Sequence, residues 1–400
     1  MAKRTRVLSV AALSATLALA GVACGSSKSE SSASKSSAKA DMVTAIPSLS
    51  GVGTSVAIDA GTAGALKSLG VSLAPSGNAT FDAATSTITF PITSGYAEIH
   101  SDLTHQPGYI VGSIEHAGSG FTLSSGSTTV DLSDFVVDPG NSMLYGTVGG
   151  TPGIPLLFLD GTNVKVSTDQ GNVVLDGTVA KLTDTAAAAL NKAFNTSAVP
   201  AGLPLGVVHL VAKGDVTTYD AATDKTAEVS RLDGTSTSVA LDPSTASALQ
   251  QLGVSVAPVG SATFDSSTST VSFPITGGFA AIHGDRNYQP GYIAGVVLHQ
   301  ASGLKFSKGG KSLEVTDFVV DPGNSMLTAT VGDKSGVPLL FLDGTNVKVS
   351  TQGPDVVLDG TVAKLTPTAA SALNSTFGVS AFQEGTPLGT VHLVASGSNS

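Results

Sequence analysis

Six of the seven histidines of this 400-residue chain recur at a constant spacing of 183 residues. These pairs are His100 and His283, His116 and His299, and His209 and His392. His116 and His299 are the most informative, because each ends an apolar run with a tyrosine seven residues upstream, Tyr109 in QPGYIVGSIEH and Tyr292 in QPGYIAGVVLH. Imidazole titrates near neutral pH and both donates and accepts hydrogen bonds. We therefore take these two histidines and two tyrosines as candidate ligand-binding residues.

The spacing of seven residues bears on whether the tyrosine and the histidine can face the same ligand. Seven is odd, so a regular strand places the tyrosine and the histidine on opposite faces. A bulge, at Gly112 in the first run or Gly295 in the second, would bring both side chains to one face. The alternative is a buried tyrosine beside an unrelated histidine.

The other histidines give weaker signals for catalysis. The pair in the closing strands, VVHLVA and TVHLVA, is typical of structural strand residues. His100 and His283 stand two residues before Asp102 and Asp285, and such a pair could orient an imidazole. No serine or cysteine nucleophile stands out beside them, so we assign no catalytic residues and expect no enzyme.

Common motifs of cofactor and metal chemistry are missing. The sequence has no Walker loop, dinucleotide fingerprint, zinc-type cluster or nucleophile elbow. The loops Asp138-Pro-Gly and Asp160-Gly contain oxygen donors that suit calcium, but neither has the spacing of an EF-hand loop. We interpret both as turns and predict no metal site.

The 183-residue spacing extends beyond the histidines. DFVVDPGNSML occurs at Asp134–Leu144 and again at Asp317–Leu327. Repeats of solenoids are about 20–50 residues long, so this is a duplicated whole domain, with each copy long enough to bury a core. The predicted divisions are copy 1 at 43–213, a polar connection at 214–235, copy 2 at 236–396 and a tail at 397–400.

Local patterns within each copy indicate the fold. A strand, Thr54–Ile58 in copy 1, precedes a short helix capped by Asp59 or Asp242. Short β-type runs separated by turns follow, and then a second helix capped by Thr183 or Thr366 and a closing strand. We predict a mainly β protein of two tandem β-sandwich-like domains, each with two short helices.

The first residues indicate export. Residues 1–23 combine a basic start with a short apolar run, as in a signal peptide. Cys24, the sole cysteine, is the expected lipidation site of a bacterial lipoprotein, although Gly21 replaces the usual leucine. Residues 24–42 are then a Ser-rich tether. The alternative is cleavage after Gly21-Val22-Ala23, which would release a secreted protein.

The amino-acid composition limits the classes of partner that this protein is expected to bind. The chain has 46 Gly and 18 Pro, only 12% charged residues and a net charge of −10. This acidic balance argues against nucleic acid as a partner. A single cysteine permits no disulfide within the chain, so stability must come from packing.

The order of motifs resembles the HtaA-type domain of Gram-positive cell envelopes. Each copy has FPIT, a Gly-containing strand ending in His, the sequence DFVV, then PLLFLD, and finally KLT-x-x-A-A-x-A-L-N-x-x-F before the closing strand. The resemblance implies a β-rich domain that takes up haem, with a tyrosine of the opening helix region on the iron and a histidine beside it. His116 and His299 match the histidine. The opening helices AGTAGALKSLG and PSTASALQQLG contain no tyrosine, so Tyr109 and Tyr292 are the candidate substitutes.

The sequence as a whole predicts a non-catalytic binding protein of the cell envelope with an unknown ligand. It would be lipid-anchored through Cys24 at the outer face of the cytoplasmic membrane, or else secreted. Its partner would be a cell-wall polymer, an envelope protein or a small molecule. Haem or another porphyrin, bound by the HtaA-like domains, is the alternative.

Overall fold

The computed structural model describes most of the chain beyond residue 39. The described residues are 40–106, 108–170, 172–214, 216–285, 287, 291–352 and 355–397. They form 27 strands and four helices, with two large antiparallel sheets. The predicted fold class, mainly β with two β-sandwich-like domains and two short helices in each, is confirmed.

The elements recur in the same order in both copies. In copy 1 and the segment after it, they are β1 (Met42–Ile46), β2 (Ser50–Ile58), α1 (Ala60–Ser68), β3 (Ser72–Gly77), β4 (Thr80–Asp82), β5 (Thr87–Phe90), β6 (Ser94–His100), β7 (Ile110–Ser125), β8 (Thr128–Asp138), β9 (Met143–Val148), β10 (Thr151–Asp160), β11 (Lys165–Asp169), β12 (Asn172–Leu182), α2 (Asp184–Ala193), β13 (Pro204–Lys213) and β14 (Thr217–Asp220). In copy 2 they are β15 (Lys225–Val229), β16 (Leu232–Leu241), α3 (Pro243–Leu252), β17 (Ser255–Gly260), β18 (Thr263–Asp265), β19 (Thr270–Pro274), β20 (Gly277–His283), β21 (Ile293–Lys308), β22 (Lys311–Asp321), β23 (Met326–Val331), β24 (Lys334–Asp343), β25 (Lys348–Gln352), β26 (Asp355–Leu365), α4 (Pro367–Phe377) and β27 (Pro387–Gly397).

Each copy forms its own sheet. The first sheet runs β14-β1-β6-β7-β8-β9-β10-β12-β13-β2-β5-β4, with β3 beside β7 and β11 beside β12. The second repeats this order from β15 to β18, with β17 beside β21 and β25 beside β26. Strands β2 and β7 are far apart in this order, yet their side chains meet in the interior. The sheet therefore curls over a core, as twisted antiparallel sheets do.

The helices begin where the sequence predicts. Asp59 accepts a hydrogen bond from the Thr62 N–H at 2.8 Å, and Asp242 caps α3 in the same way. Thr183 and Thr366 cap α2 and α4. The helices of the described residues are short, and none is long and apolar enough to cross a membrane.

The segment between the copies contains regular structure. Residues 214–235, predicted as a polar connection, include β14, which pairs with β1, and β15, which pairs with β20. At the other end, Asp41 and Met42 belong to the folded unit rather than to a tether, since Met42 begins β1.

The two copies pack through equivalent faces. Strand β6 of copy 1 contacts β21 of copy 2, and β7 contacts β20. Tyr96 stacks on Phe279, its own counterpart at the 183-residue spacing, with ring centroids 5.1 Å apart and an interplanar angle of 15°. Both are fully buried in one apolar cluster shared by the copies. A residue that contacts its own counterpart identifies a two-fold related packing.

Candidate functional site

Each copy encloses a cavity inside its curled sheet. The cavity of copy 1 has a volume of about 540 Å³ and that of copy 2 about 600 Å³. Their walls are mostly Leu, Val, Ile, Phe and Ala from the sheet and both helices. Small-molecule sites are typically concave, of this size, and apolar with a few polar groups.

The candidate residues lie at these cavities. His116 and Tyr109 both line the cavity of copy 1, and His299 and Tyr292 both line the cavity of copy 2. The structure therefore brings each tyrosine and histidine to a common space, despite their odd spacing.

Strand pairing fixes the orientation of His116. Its Nδ1 lies 3.3 Å from the main-chain oxygen of Phe135, on the neighbouring strand β8. A carbonyl only accepts, so Nδ1 donates and Nε2 is left with a lone pair in the neutral ring. Thr54 on β2 fills that position, with its hydroxyl 2.8 Å from Nε2. His116 thus joins two parts of the sheet across the interior, and His299 repeats both bonds with Phe318 and Thr237.

Burial determines the charge of these histidines. Both side chains are about 1% exposed. Desolvation lowers the pKa of His116 and of His299 to about 4, and the bond to the main-chain oxygen offsets this only in part. Each imidazole is therefore neutral near pH 7 and presents no positive charge to the cavity.

A bulge is present, but not at the predicted place. The pairing of β6 with β7 runs through Gly112 without a register shift. The shift lies after His116, where the residues up to Gly120 bulge opposite Asp134, and the same occurs after His299. Asp134 holds the bulge by accepting the Gly118 N–H at 2.8 Å. Gly112 has a different role, because with φ of 138° any Cβ there would meet the Tyr96 oxygen at 2.1 Å.

Tyr109 reaches the cavity from its rim. It is half-buried and stands just before β7, where the His100 N–H still donates to its main-chain oxygen at 2.7 Å. Gly108 beside it packs so closely on Gly140 that a Cβ would lie 3.2 Å from the Gly140 oxygen. The turns after β8 and β10 also line the cavity, including the exposed Thr162. Tyr109 and Thr162 thus both belong to the cavity wall and are both accessible to solvent, Tyr109 in part.

The carboxylates of Asp138 and Asp160 in these turns already have hydrogen-bond partners. Asp138 accepts hydrogen bonds from the main-chain N–H and the side-chain amide of Asn141, both at 3.0 Å. Asp160 accepts from Thr162 and pairs with Lys181 at 2.7 Å. These contacts agree with the interpretation of both loops as turns.

The remaining histidines have partners that the sequence did not reveal. His100 Nδ1 lies 2.5 Å from Asp41, not beside Asp102, whose carboxylate accepts instead from Thr104. Asp41 rather than Asp102 therefore orients the His100 imidazole, because Asp102 lies in a turn beyond the strand. The same pairing occurs in copy 2, where Asp41 recurs as Asp224, which lies 2.7 Å from His283.

Two further predictions concern other parts of the molecule. His209 and His392 lie on closing strands with about half of each side chain exposed, 3.2 and 3.3 Å from Asp176 and Asp359. Cys24, the predicted lipidation site, lies outside the described residues.

Comparison with known proteins gives partial similarities. A family described as the BON domain matches residues 156–194, a segment of β10, β11, β12 and α2. The crystal structure of the C-terminal domain of HtaA from Corynebacterium glutamicum covers 42% of this chain and 97% of its own, with 12% identity and a TM-score of 0.29. No curated protein matches the chain. Neither similarity assigns the chain to a family.

Proposed function

We propose that this chain is a non-catalytic binding protein in which each domain encloses one apolar or amphipathic small molecule. The observation that carries the proposal is the pair of cavities of about 540 and 600 Å³ with largely apolar walls. A void of that size forfeits packing contacts throughout the core. A bound apolar molecule would restore those contacts. Ligand binding therefore accounts for the cavity, whereas the stability of the empty protein does not.

The polar groups suit recognition of one end of such a ligand. The neutral His116–Thr54 pair lies inside, and Tyr109 and the exposed turn residues lie at the rim. A ligand with an apolar body and a polar end would bury the body and leave the end near the rim. His116 could bond a ligand with Nε2 only by releasing the Thr54 hydroxyl.

Haem is the second candidate, because a tyrosine and a histidine line the same cavity in both copies. A phenolate oxygen and an imidazole nitrogen are both known donors to haem iron. In this arrangement Tyr109 would be the iron ligand. His116 would serve as a hydrogen-bond partner through Nε2, and it would have to release the Thr54 hydroxyl to do so, since both of its ring nitrogens already have bonds.

The proposal includes the location of the protein in the cell envelope. The basic and apolar residues of 1–23 and the lone Cys24 support export and anchoring at the outer face of the cytoplasmic membrane. Cys24→Ala should then move the protein from the membrane fraction to the medium. An unchanged distribution would rule out anchoring through Cys24.

The test is a titration of the purified chain with two probes, haemin followed by porphyrin absorbance and a fluorescent fatty acid. We expect saturation at two equivalents of one probe. Ala186→Phe or Ala369→Phe, which fill one cavity each from a helix, should reduce this to one. Ala188→Phe is the matched control, because Ala188 is exposed on the same helix outside the cavity wall.

The outcomes separate the ligand classes. Haemin binding whose absorbance band changes in Tyr109→Phe and Tyr292→Phe identifies haem as the ligand. Fatty-acid binding that is insensitive to both changes identifies a lipid-like ligand. If neither probe saturates, or if both cavity-filling variants still bind two equivalents, the proposed function is wrong.

A further inference from the structure

Each cavity wall contains three buried polar side chains among the described residues. They are Thr54, Thr62 and His116 in copy 1, and Thr237, Thr245 and His299 in copy 2. The two copies differ elsewhere in the wall, for example at Phe121 and its counterpart Leu304, yet both keep this set. The directions of the hydrogens on these groups determine which ligand groups can bond to them.

The position of Thr54 on β2 shows that its side chain faces the cavity. Thr54, Val56 and Ile58 line the cavity. Ser55 between them does not, and its hydroxyl bonds to that of Thr89 at 2.8 Å. Side chains alternate between the two faces of a strand, so the set that includes Thr54 points inwards.

His116 fixes the direction of the Thr54 hydroxyl hydrogen. The imidazole Nδ1 donates to the main-chain oxygen of Phe135, so the neutral ring offers Thr54 only a lone pair on Nε2. The hydroxyl must therefore donate to Nε2, across 2.8 Å. A hydroxyl has one hydrogen and two lone pairs, so the Thr54 oxygen is left as an acceptor. Because burial lowers the pKa of His116 to about 4, the ring is neutral and this direction holds near pH 7.

The second threonine of the wall is in the same state. Thr62, near the start of α1, donates its hydroxyl hydrogen to the main-chain oxygen of Pro204 at 2.5 Å. A carbonyl cannot donate in return, so the Thr62 oxygen also keeps only acceptor capacity. Thr245 repeats this bond in copy 2, as Thr237 repeats the bond to histidine. The hydrogens of the three buried polar groups in each wall are thus directed at protein acceptors.

The charges at the cavities disfavour an anionic ligand. Neither wall contains a lysine or an arginine among the described residues. The walls do contain the carboxylates Asp160 and Asp343, and hydrogen bonds from Lys181 and Lys364 hold the pKa of each well below its usual range. A carboxylate or phosphate bound beside Thr54 would therefore lose its hydration without gaining a donor from the buried groups.

We propose that each cavity selects a neutral ligand whose hydroxyl or N–H group donates a hydrogen bond to Thr54 in copy 1 and to Thr237 in copy 2, as an alcohol with an apolar body would. This inference rests on the proposed function, because it names the class of ligand for the same cavities. A donating group bonds there without displacing any hydrogen bond of the folded chain. An ether, carbonyl or carboxylate oxygen at the same place would face a lone pair, and would gain a bond only by breaking the one between Thr54 and His116.

The experiment compares two isomers, decanol and methyl nonyl ether, in calorimetric titrations of the purified chain. Both carry one oxygen on an apolar chain with the same atoms, but only the alcohol donates a hydrogen bond. Apolar burial by itself favours the ether, which has less polar surface. We expect two equivalents of decanol to bind, about tenfold or more tightly than the ether. This comparison uses the unmodified chain, so it does not depend on the folding of a variant.

Variants assign the acceptor within one copy, in a chain whose second cavity is filled by Ala369→Phe. Thr54→Val with His116→Leu replaces both bonded partners by apolar side chains and should remove the preference for decanol. Thr54→Ser, which restores a hydroxyl, should restore the preference. Ser55→Ala is the matched control, because it removes the neighbouring hydroxyl from the opposite face of β2.

The outcomes separate this inference from the proposed function. Equal binding of the two isomers, or tighter binding of the ether, would leave the cavities as binding sites and overturn the requirement for a donor. A preference for decanol that persists after Thr54→Val with His116→Leu would overturn the assignment to Thr54. If neither isomer binds, the proposed function itself fails, and this inference fails with it.

Discussion

Replacing Glu115 by glutamine should make the protein more stable at alkaline pH. Glu115 lies on β7, about 1% exposed, with Ser94 donating to one carboxyl oxygen at 2.5 Å. Burial raises its pKa to about 8, against the hydrogen bond from Ser94, and Asp134 and Asp317 raise it further. Copy 2 has Leu298 at the equivalent position, so the fold does not require an acid there.

The sign of the effect follows from proton binding. The pKa of Glu115 in the folded chain is about 8, so the folded chain holds this proton up to about pH 8, whereas the unfolded chain releases it near the ordinary glutamate value of 4.5. Stability due to this group is complete below pH 4.5 and is lost as the pH rises towards 8. At about 1.4 kcal/mol for each unit of pKa, the loss between pH 5 and pH 8 is about 3.5 kcal/mol. Glutamine resembles the protonated acid and does not titrate, so Glu115→Gln should escape this loss.

The assay is guanidinium unfolding of both proteins from pH 5 to pH 8, followed by far-ultraviolet circular dichroism because the chain has no tryptophan. The free energy of unfolding of the variant should rise relative to the original by about 3.5 kcal/mol across this range. Glu115→Leu with Ser94→Gly, which copies the residues of copy 2, is the control and should show the same change in slope. Parallel curves for the original chain and both variants would refute the assignment of a neutral buried acid.

Two further predictions concern the core and the interface. Because burial lowers the pKa of His116 to about 4 from 6.5, stability should fall by about 3 kcal/mol as the pH drops from 6.5 to 4. His116→Leu with Thr54→Val, which removes both bonded partners, should reduce that acid slope in urea unfolding, and an unchanged slope would contradict the pKa. Tyr96→Ala should lower the free energy of unfolding by about 3–5 kcal/mol through loss of the stack on Phe279. Tyr96→Phe should cost much less, since copy 2 already has phenylalanine there, and equal losses in the two variants would argue against stacking.

Short-range patterns in the sequence determined much of the fold. Asp59 and Thr183 predict helix starts because a cap bonds to an N–H only a few residues away. Asp138 and Asp160 predict turns for the same reason, as their carboxylates bond within three residues. Alternating β-type runs between such turns suffice to indicate a mainly β architecture. The exact repeat of Asp134–Leu144 fixes the duplication without any structure.

The candidate sites are formed by contacts between residues that are distant along the sequence. Thr54 lies 62 residues from His116 and Asp41 lies 59 residues from His100, and no local pattern links either pair. The position of the bulge depends on the register of β7 against β8, which one residue of slip would alter. His105 and Glu228 come together only through the packing of one copy on the other. The sequence by itself therefore determined the elements and their order, because these follow from neighbours along the chain. The partners of each histidine were decided only by the tertiary structure, because strand register and two-fold packing choose them.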